Sequence, residues 1–200
     1  MEKLASIMTD YLLSEKMIAD DERDVYHYCI EVTLSILTYW LLILSCALAA
    51  GRLGESVVYV LAFMAMRLNV GGYHASTHFR CALLSLTAYL AFLFCLLYLP
   101  KAVIPLVCMA SVALGGAVVI AFAPMAHLNK PFSDKERQKY RQGSLLVTGT
   151  LALAVGMSLA LGYQVLPLCL SFAILEAALS LLAQVKHEHL TKGAASNKAA

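Results

Sequence analysis

The residues of this chain with the most chemical capacity fall in one short segment, Arg67-Leu-Asn-Val-Gly-Gly-Tyr-His-Ala-Ser-Thr-His-Phe-Arg-Cys81. It holds a thiol, two imidazoles, two guanidiniums and a glycine pair, and apolar runs flank it. A neutral thiol reacts poorly, but an imidazole that takes its proton makes it a nucleophile. Cys81 with His74 as its base is therefore one reading. Cys81 opens an apolar run, so its sulfur is expected at a helix N-terminus, where partial positive charge favours thiolate. Arg67 and Arg80 add to that. On one straight helix, seven residues turn about 700° but rise about 10.5 Å, too far for a hydrogen bond. The pair thus requires a break in the chain, which Gly71-Gly72 can supply. The expectation is a loop or kink over residues 71–76 that folds His74 back toward the thiol.

The same residues allow two other readings. His74, His78 and Cys81 fall at i, i+4, i+7, one helical stripe that could hold zinc with an open position, with His127 as a fourth ligand. That reading needs a continuous helix and competes with the first. The third is packing: a Cys at the start of an apolar helix, and histidines at a membrane edge, commonly pack or cap. A second polar stretch runs from Ala123-Pro124 through Asn129-Lys130-Pro131 to Arg141. Ser133 can cap a helix there, with Glu136 completing a capping box. Five cations and two acids leave this stretch at +3. It serves either as an orientation signal or as a docking surface for an acidic peptide or a carboxylate. Glu31 and Glu176 sit near opposite ends of apolar runs, close enough to a membrane face to reach water, though proton-coupled transport would use such groups.

The elements that must position these residues follow from composition. Apolar residues make up 60% of the 200 and charged residues 14%, whereas soluble domains run at about 45–50% and about 25%. Mean hydropathy is +0.74; the solvent is mostly lipid. A net charge of +2 leaves no polyanion footprint, so nucleic acid is not an expected partner. The six cysteines are scattered without a C-x-x-C pair, which suggests neither a zinc ribbon nor a disulfide framework. Five of them read as small buried hydrophobes. Ten charges in the first 24 residues do not fit a secretory signal peptide.

Residues 2–18 place Leu4, Ile7, Met8, Tyr11 and Leu12 on one helical face, an amphipathic helix on the membrane surface or against the protein. Spans of about 20 apolar residues are expected at Val32–Ala50, Cys81–Pro100 and Ala102–Ala123. Two more follow within the uncharged run from Gln142, turning at Gly162-Tyr163-Gln164, the last over about Val165–Val185. Gly54–Asn69 is a short or re-entrant piece. The fold class is therefore all-α, a polytopic membrane protein of six spans plus the N-terminal helix. Residues 1–25 form that helix and an acidic linker, 26–191 the membrane domain and 192–200 a disordered tail. With the N-terminus cytoplasmic, 13 of the 15 Lys and Arg fall on the cytoplasmic side and only Arg52 and Lys101 outside, as the positive-inside rule demands. Residues 67–80 and 124–143 then share the cytoplasmic side.

Arg67-x6-His74-x6-Cys81, with Gly71-Gly72-x-His74-Ala75, resembles the accessory gene regulator B (AgrB) family of bacterial integral-membrane cysteine peptidases. Ala123-Pro124-x4-Asn129-Lys130-Pro131, the basic run to Arg141, the acidic amphipathic start and the multi-span layout are similar to it as well, so the resemblance covers nearly the whole chain. It implies processing of a short quorum-sensing propeptide at the cytoplasmic membrane. Cys81 would attack a peptide bond on the propeptide's C-terminal side, releasing an acidic tail and forming an acyl-enzyme thioester. A side chain of the peptide would then close a thiolactone or lactone. The resemblance makes His74 the general base and Arg67 a residue for tail binding or site support. Gly71, Gly72, Asn129 and Lys130 are likewise implied in substrate binding or site support, Gly72 at the turn before His74 and Asn129 as a candidate group to orient His74. It implies a homodimer, with no cofactor and no metal. His78 has no match in the family's pattern. A zinc-dependent membrane enzyme, a small transporter and a non-catalytic binding partner are the rival classes.

Overall fold

The computed structural model describes the backbone of residues 2–71, 78–125 and 133–199, and side chains within these ranges except at 2, 36, 78–82 and 187–199. Among the described residues there are seven α-helices, a three-residue 3-10 turn at Asp20–Glu22 and no strand. Helices are what lipid permits, because each closes its own backbone hydrogen bonds where no water can.

Helix α1 (Glu2–Ser14) leads through the acidic 3-10 turn into α2 (Arg23–Ala49). The two helices pack together, and Arg23 donates to Asp10 across them at 2.9 Å. The apolar stripe expected to anchor α1 faces away from this contact: Ile7 and Tyr11 are 66% and 60% exposed, while Ala5 and Thr9 are fully buried. Small side chains let the two backbones approach, and the large ones are left for the surroundings. Then come α3 (Leu53–Val70), α4 (His78–Tyr98), α5 (Ile104–Phe122), α6 (Asp134–Ala160) and α7 (Val165–Ala199).

Five helices (α2, α3, α5, α6 and α7) are long and apolar enough to cross a membrane; in α4 the described apolar stretch is Leu83–Tyr98. The chain is an all-α polytopic membrane protein. The segment expected to be short or re-entrant is one unbroken helix, α3, of 18 residues, about 27 Å long. The turn at Gly162-Tyr163-Gln164 separates α6 from α7 as expected. Helix α7 keeps a helical backbone through the 192–199 stretch.

Contacts divide the chain into two compact units, Met1–Gly51 with Ala75–Tyr89, and Arg52–His74 with Leu90–Ala200. In the second, α7 packs against α3, α5 and α6. Its spanning window is 67% buried, against 22–33% for those three, so α7 is the central helix of this unit. Where α5 crosses α7, a Cβ on Gly115 would lie 2.9 Å from Ile174 Cγ2; a small residue admits the neighbouring helix. Rings layer between the helices, Tyr59 on Phe92 at 4.3 Å between centroids and Phe92 near Phe172 at 5.9 Å. The apolar core gathers Met66 and Val70 of α3, Val119 and Ala123 next to it, and Ile174, Ala177, Ala178 and Leu181 of α7. That core lies at the C-terminal end of α3, directly beneath Gly71.

Candidate active site

Helix α3 ends at Gly71, whose φ of 78° and ψ of −151° belong to a region essentially reserved for glycine. Its carbon is also pressed on: a Cβ there would meet the Met125 carbonyl oxygen at 2.7 Å. Met125 N–H donates to Val70 O at 3.3 Å. The end of α3 and the chain after Pro124 are therefore in direct backbone contact. These are the described parts of the two segments that the charge pattern puts on one side of the membrane, and they meet.

Arg67 sits one turn before this end and is half-buried. Its Nη1 donates to Gly71 O at 3.2 Å and also to Ser180 Oγ on α7. A guanidinium suits a helix C-terminus, where carbonyls lack partners inside the helix. Arg67 thus caps the described end of α3 and ties it to the central helix. Ser180 was not legible in the sequence; it is one of several small residues in a run of alanines and leucines.

Around this end, Ser133 and Glu136 form the expected capping box of α6: Glu136 N–H donates to Ser133 Oγ at 3.4 Å, and Ser133 N–H to Glu136 Oε2 at 3.0 Å. The cap sets the basic run on the first turns of α6. Arg141 donates to Ala123 O. Arg137 and Arg141, with Gln138, Asp134, Ala123 and Pro124, line a cleft of about 340 Å³. Asn69 donates to Ala65 O at 2.9 Å, and its Oδ1 fills the space where a Cβ of Gly143 would lie.

Cys81 lies on α4, three residues after the helix's first described residue, His78. The side chains of Cys81 and His78, and residues Gly72, His74, His127, Asn129 and Lys130, lie outside the described residues. So does most of the expected fold-back over 71–76, of which Gly71 alone is described. Among the other cysteines, Cys108 and Cys169 are buried as expected, but Cys29 is exposed and Cys46 and Cys95 are intermediate.

Two features elsewhere matter. Glu176, read from the sequence as near water, is only 8% exposed. It lies on the central helix and accepts a hydrogen bond from Tyr59 Oη of α3. A wider cleft of about 760 Å³, lined by Glu55, Lys101, Tyr163 and Cys169 among others, opens near the start of α3, about 25 Å along that helix from Gly71. Its lining includes none of the candidate catalytic or substrate-binding residues.

Comparison with curated proteins and with solved structures gives no match. The family model described as Accessory gene regulator B matches residues 5–182. That span takes in both polar segments and every helix that carries them, and the chain belongs to the accessory gene regulator B family.

Proposed function

We propose that this protein is a membrane-embedded cysteine endopeptidase. It cleaves the C-terminal part of an autoinducing-peptide precursor at the cytoplasmic face of the bacterial membrane, working as a homodimer. Family membership implies the coarser role, processing of a quorum-sensing peptide. In the finer reading, His74 takes the proton of Cys81 Sγ and the thiolate attacks the scissile carbonyl carbon. As the C–N bond breaks, His74 returns the proton to the leaving amine, which leaves a thioester on Cys81. A thiol or hydroxyl of the bound peptide then attacks the thioester carbonyl. Sγ leaves and regains a proton, and the peptide closes into a ring. Exchange of one thioester for another is nearly neutral in energy, so the outcome depends on keeping water away.

The observation that carries this reading is the end of α3 at Gly71, three residues before His74. A chain break there is what the Cys–His pair requires. A thiol placed near the start of α4 would add to it, since the N-terminal end of a helix favours an anion. The test is cleavage of a synthetic propeptide by the protein in lipid vesicles. Cys81→Ser and His74→Gln abolish cleavage, and the wild-type protein accumulates a hydroxylamine-sensitive peptide adduct. Cleavage that survives Cys81→Ser refutes the thiol mechanism; if it is also lost to a chelator, the zinc reading takes its place.

A further inference from the structure

We propose that the wide cleft at the start of α3 holds the headgroup of an anionic phospholipid, with the lipid phosphate on Lys101. The proposal concerns the end of α3 remote from Gly71 and does not depend on the chemistry assigned to Cys81 and His74. Three segments of one compact unit build the cleft. The first turns of α3 supply Glu55 and Val58, the loop before α5 supplies Lys101, and the α6–α7 turn with the start of α7 supplies Gln164 and Cys169. Its volume of about 760 Å³ is of the size that encloses a small ligand.

The depth of the cleft fits a lipid. Helix α3 has 18 residues, about 27 Å, close to the roughly 30 Å of the hydrocarbon core. Its first turn therefore lies where hydrocarbon gives way to headgroups, and the spanning stretch of α7 begins beside it at Val165. Val58 and Cys169 sit further along their helices, toward the bilayer centre, and make an apolar floor. Lys101, Gln164 and Tyr163 lie on the connecting segments and make a polar rim. Tyrosine is at home at that level. Apolar inward and polar outward is the order of a lipid molecule.

The charge of the cleft selects the headgroup. Arg52 Nη1 donates to Glu55 Oε1 at 3.0 Å, so these two charges cancel. Lys101 is exposed and has no ion pair among the described residues, which leaves one positive charge. The first bond within α3 runs from Ser56 N–H to Arg52 O, so the N–H groups of residues 53–55 have no acceptor in their helix and add partial positive charge. A phosphodiester answers that charge, and Gln164 offers an acceptor to headgroup hydroxyls. A soluble anion gains nothing from the floor, and a zwitterionic lipid brings a second cation toward Lys101.

The experiment is native mass spectrometry of the full chain in detergent. The chain is titrated with phosphatidylglycerol, with phosphatidylcholine and diacylglycerol of the same acyl chains, and with inorganic phosphate as competitor. The wild-type protein is expected to retain one phosphatidylglycerol per chain in preference to the other two lipids. Lys101→Ala weakens that retention about fivefold, the worth of one cation near a lipid headgroup. Lys101→Arg keeps it, as does Lys135→Ala, which removes an exposed cation at the start of α6. Wild-type retention by Lys101→Ala overturns the proposal, as does an equal loss in Lys135→Ala. Equal retention of diacylglycerol or phosphatidylcholine overturns it too, since the phosphate or the net charge then selects nothing. Displacement of the lipid by an equal concentration of inorganic phosphate also overturns it, because the cleft is then a site for a free anion.

Discussion

Replacing Gly71 by alanine tests the hinge directly. Two costs add at this position. A residue with a Cβ held at φ 78°, ψ −151° pays about 1–3 kcal/mol of backbone strain. The new carbon also lies 2.7 Å from the Met125 carbonyl oxygen. That oxygen belongs to a backbone that the Met125–Val70 hydrogen bond holds in place, so it cannot swing aside as a side chain would. Relief means breaking that bond, at about 1 kcal/mol, so the total is about 2–4 kcal/mol. Spent on displacing the turn, even about 2 kcal/mol corresponds to a roughly thirtyfold change in the population of the working geometry. Gly51 is the matched control: it has φ 64° but nothing within 4 Å of a Cβ, and it lies beyond the other end of α3. Propeptide cleavage in vesicles and thermal unfolding of both variants form the assay. Gly71→Ala is expected to lose at least about thirtyfold in cleavage, and Gly51→Ala to keep most of its activity with a small loss of stability. Equal effects from the two, or wild-type cleavage by Gly71→Ala, refute the reasoning.

Three further perturbations have defined outcomes. Gly115→Ala drives a methyl against Ile174 Cγ2 at 2.9 Å and is expected to cost about 1–3 kcal/mol of stability; its neighbour Gly116, with open space at the Cβ position, gains up to about 1 kcal/mol from helix propensity on the same change, both read by unfolding in detergent. Tyr59→Phe removes the described donor to the buried Glu176 carboxylate and is expected to destabilise by about 1–3 kcal/mol, while in a Glu176→Leu background the same change is nearly neutral, a coupling that a double-mutant cycle measures. Ser133→Ala strips the capping box from α6 at about 1 kcal/mol, and hydrogen exchange is expected to speed up in the first turn of α6 and nowhere else.

Helix ends were readable because they carry local chemistry. Ser133 with Glu136, the Gly162-Tyr163-Gln164 turn and the end of α3 at Gly71 each announce themselves through local residue chemistry. The spans were readable from length and apolarity, and the charge asymmetry matched the two segments that meet at Val70 and Met125. The lateral arrangement was not readable. In lipid a helix can be apolar all round, so periodicity does not mark the face that packs against protein. That is why α1 hides Ala5 and Thr9 rather than its large apolar stripe. It is also why Glu176 was read as near water when Tyr59 holds it inside. Ser180 gave no signal, since its meaning lies entirely in a guanidinium 113 residues away.

The backbone seam between Val70–Gly71 and Met125 has a practical consequence for exchanging parts with relatives. It leaves no room at Gly71 for a side chain, and its hydrogen bond runs from main chain to main chain. Neither half can therefore be tuned by its own side chains to suit a new neighbour. A chimaera that imports the stretch after Pro124 while keeping the native end of α3 inherits whatever mismatch the two main chains bring. Junctions placed within α2 and after α6 carry the seam across intact, and those are the hybrids to build when specificity for one peptide over another is to be moved between proteins.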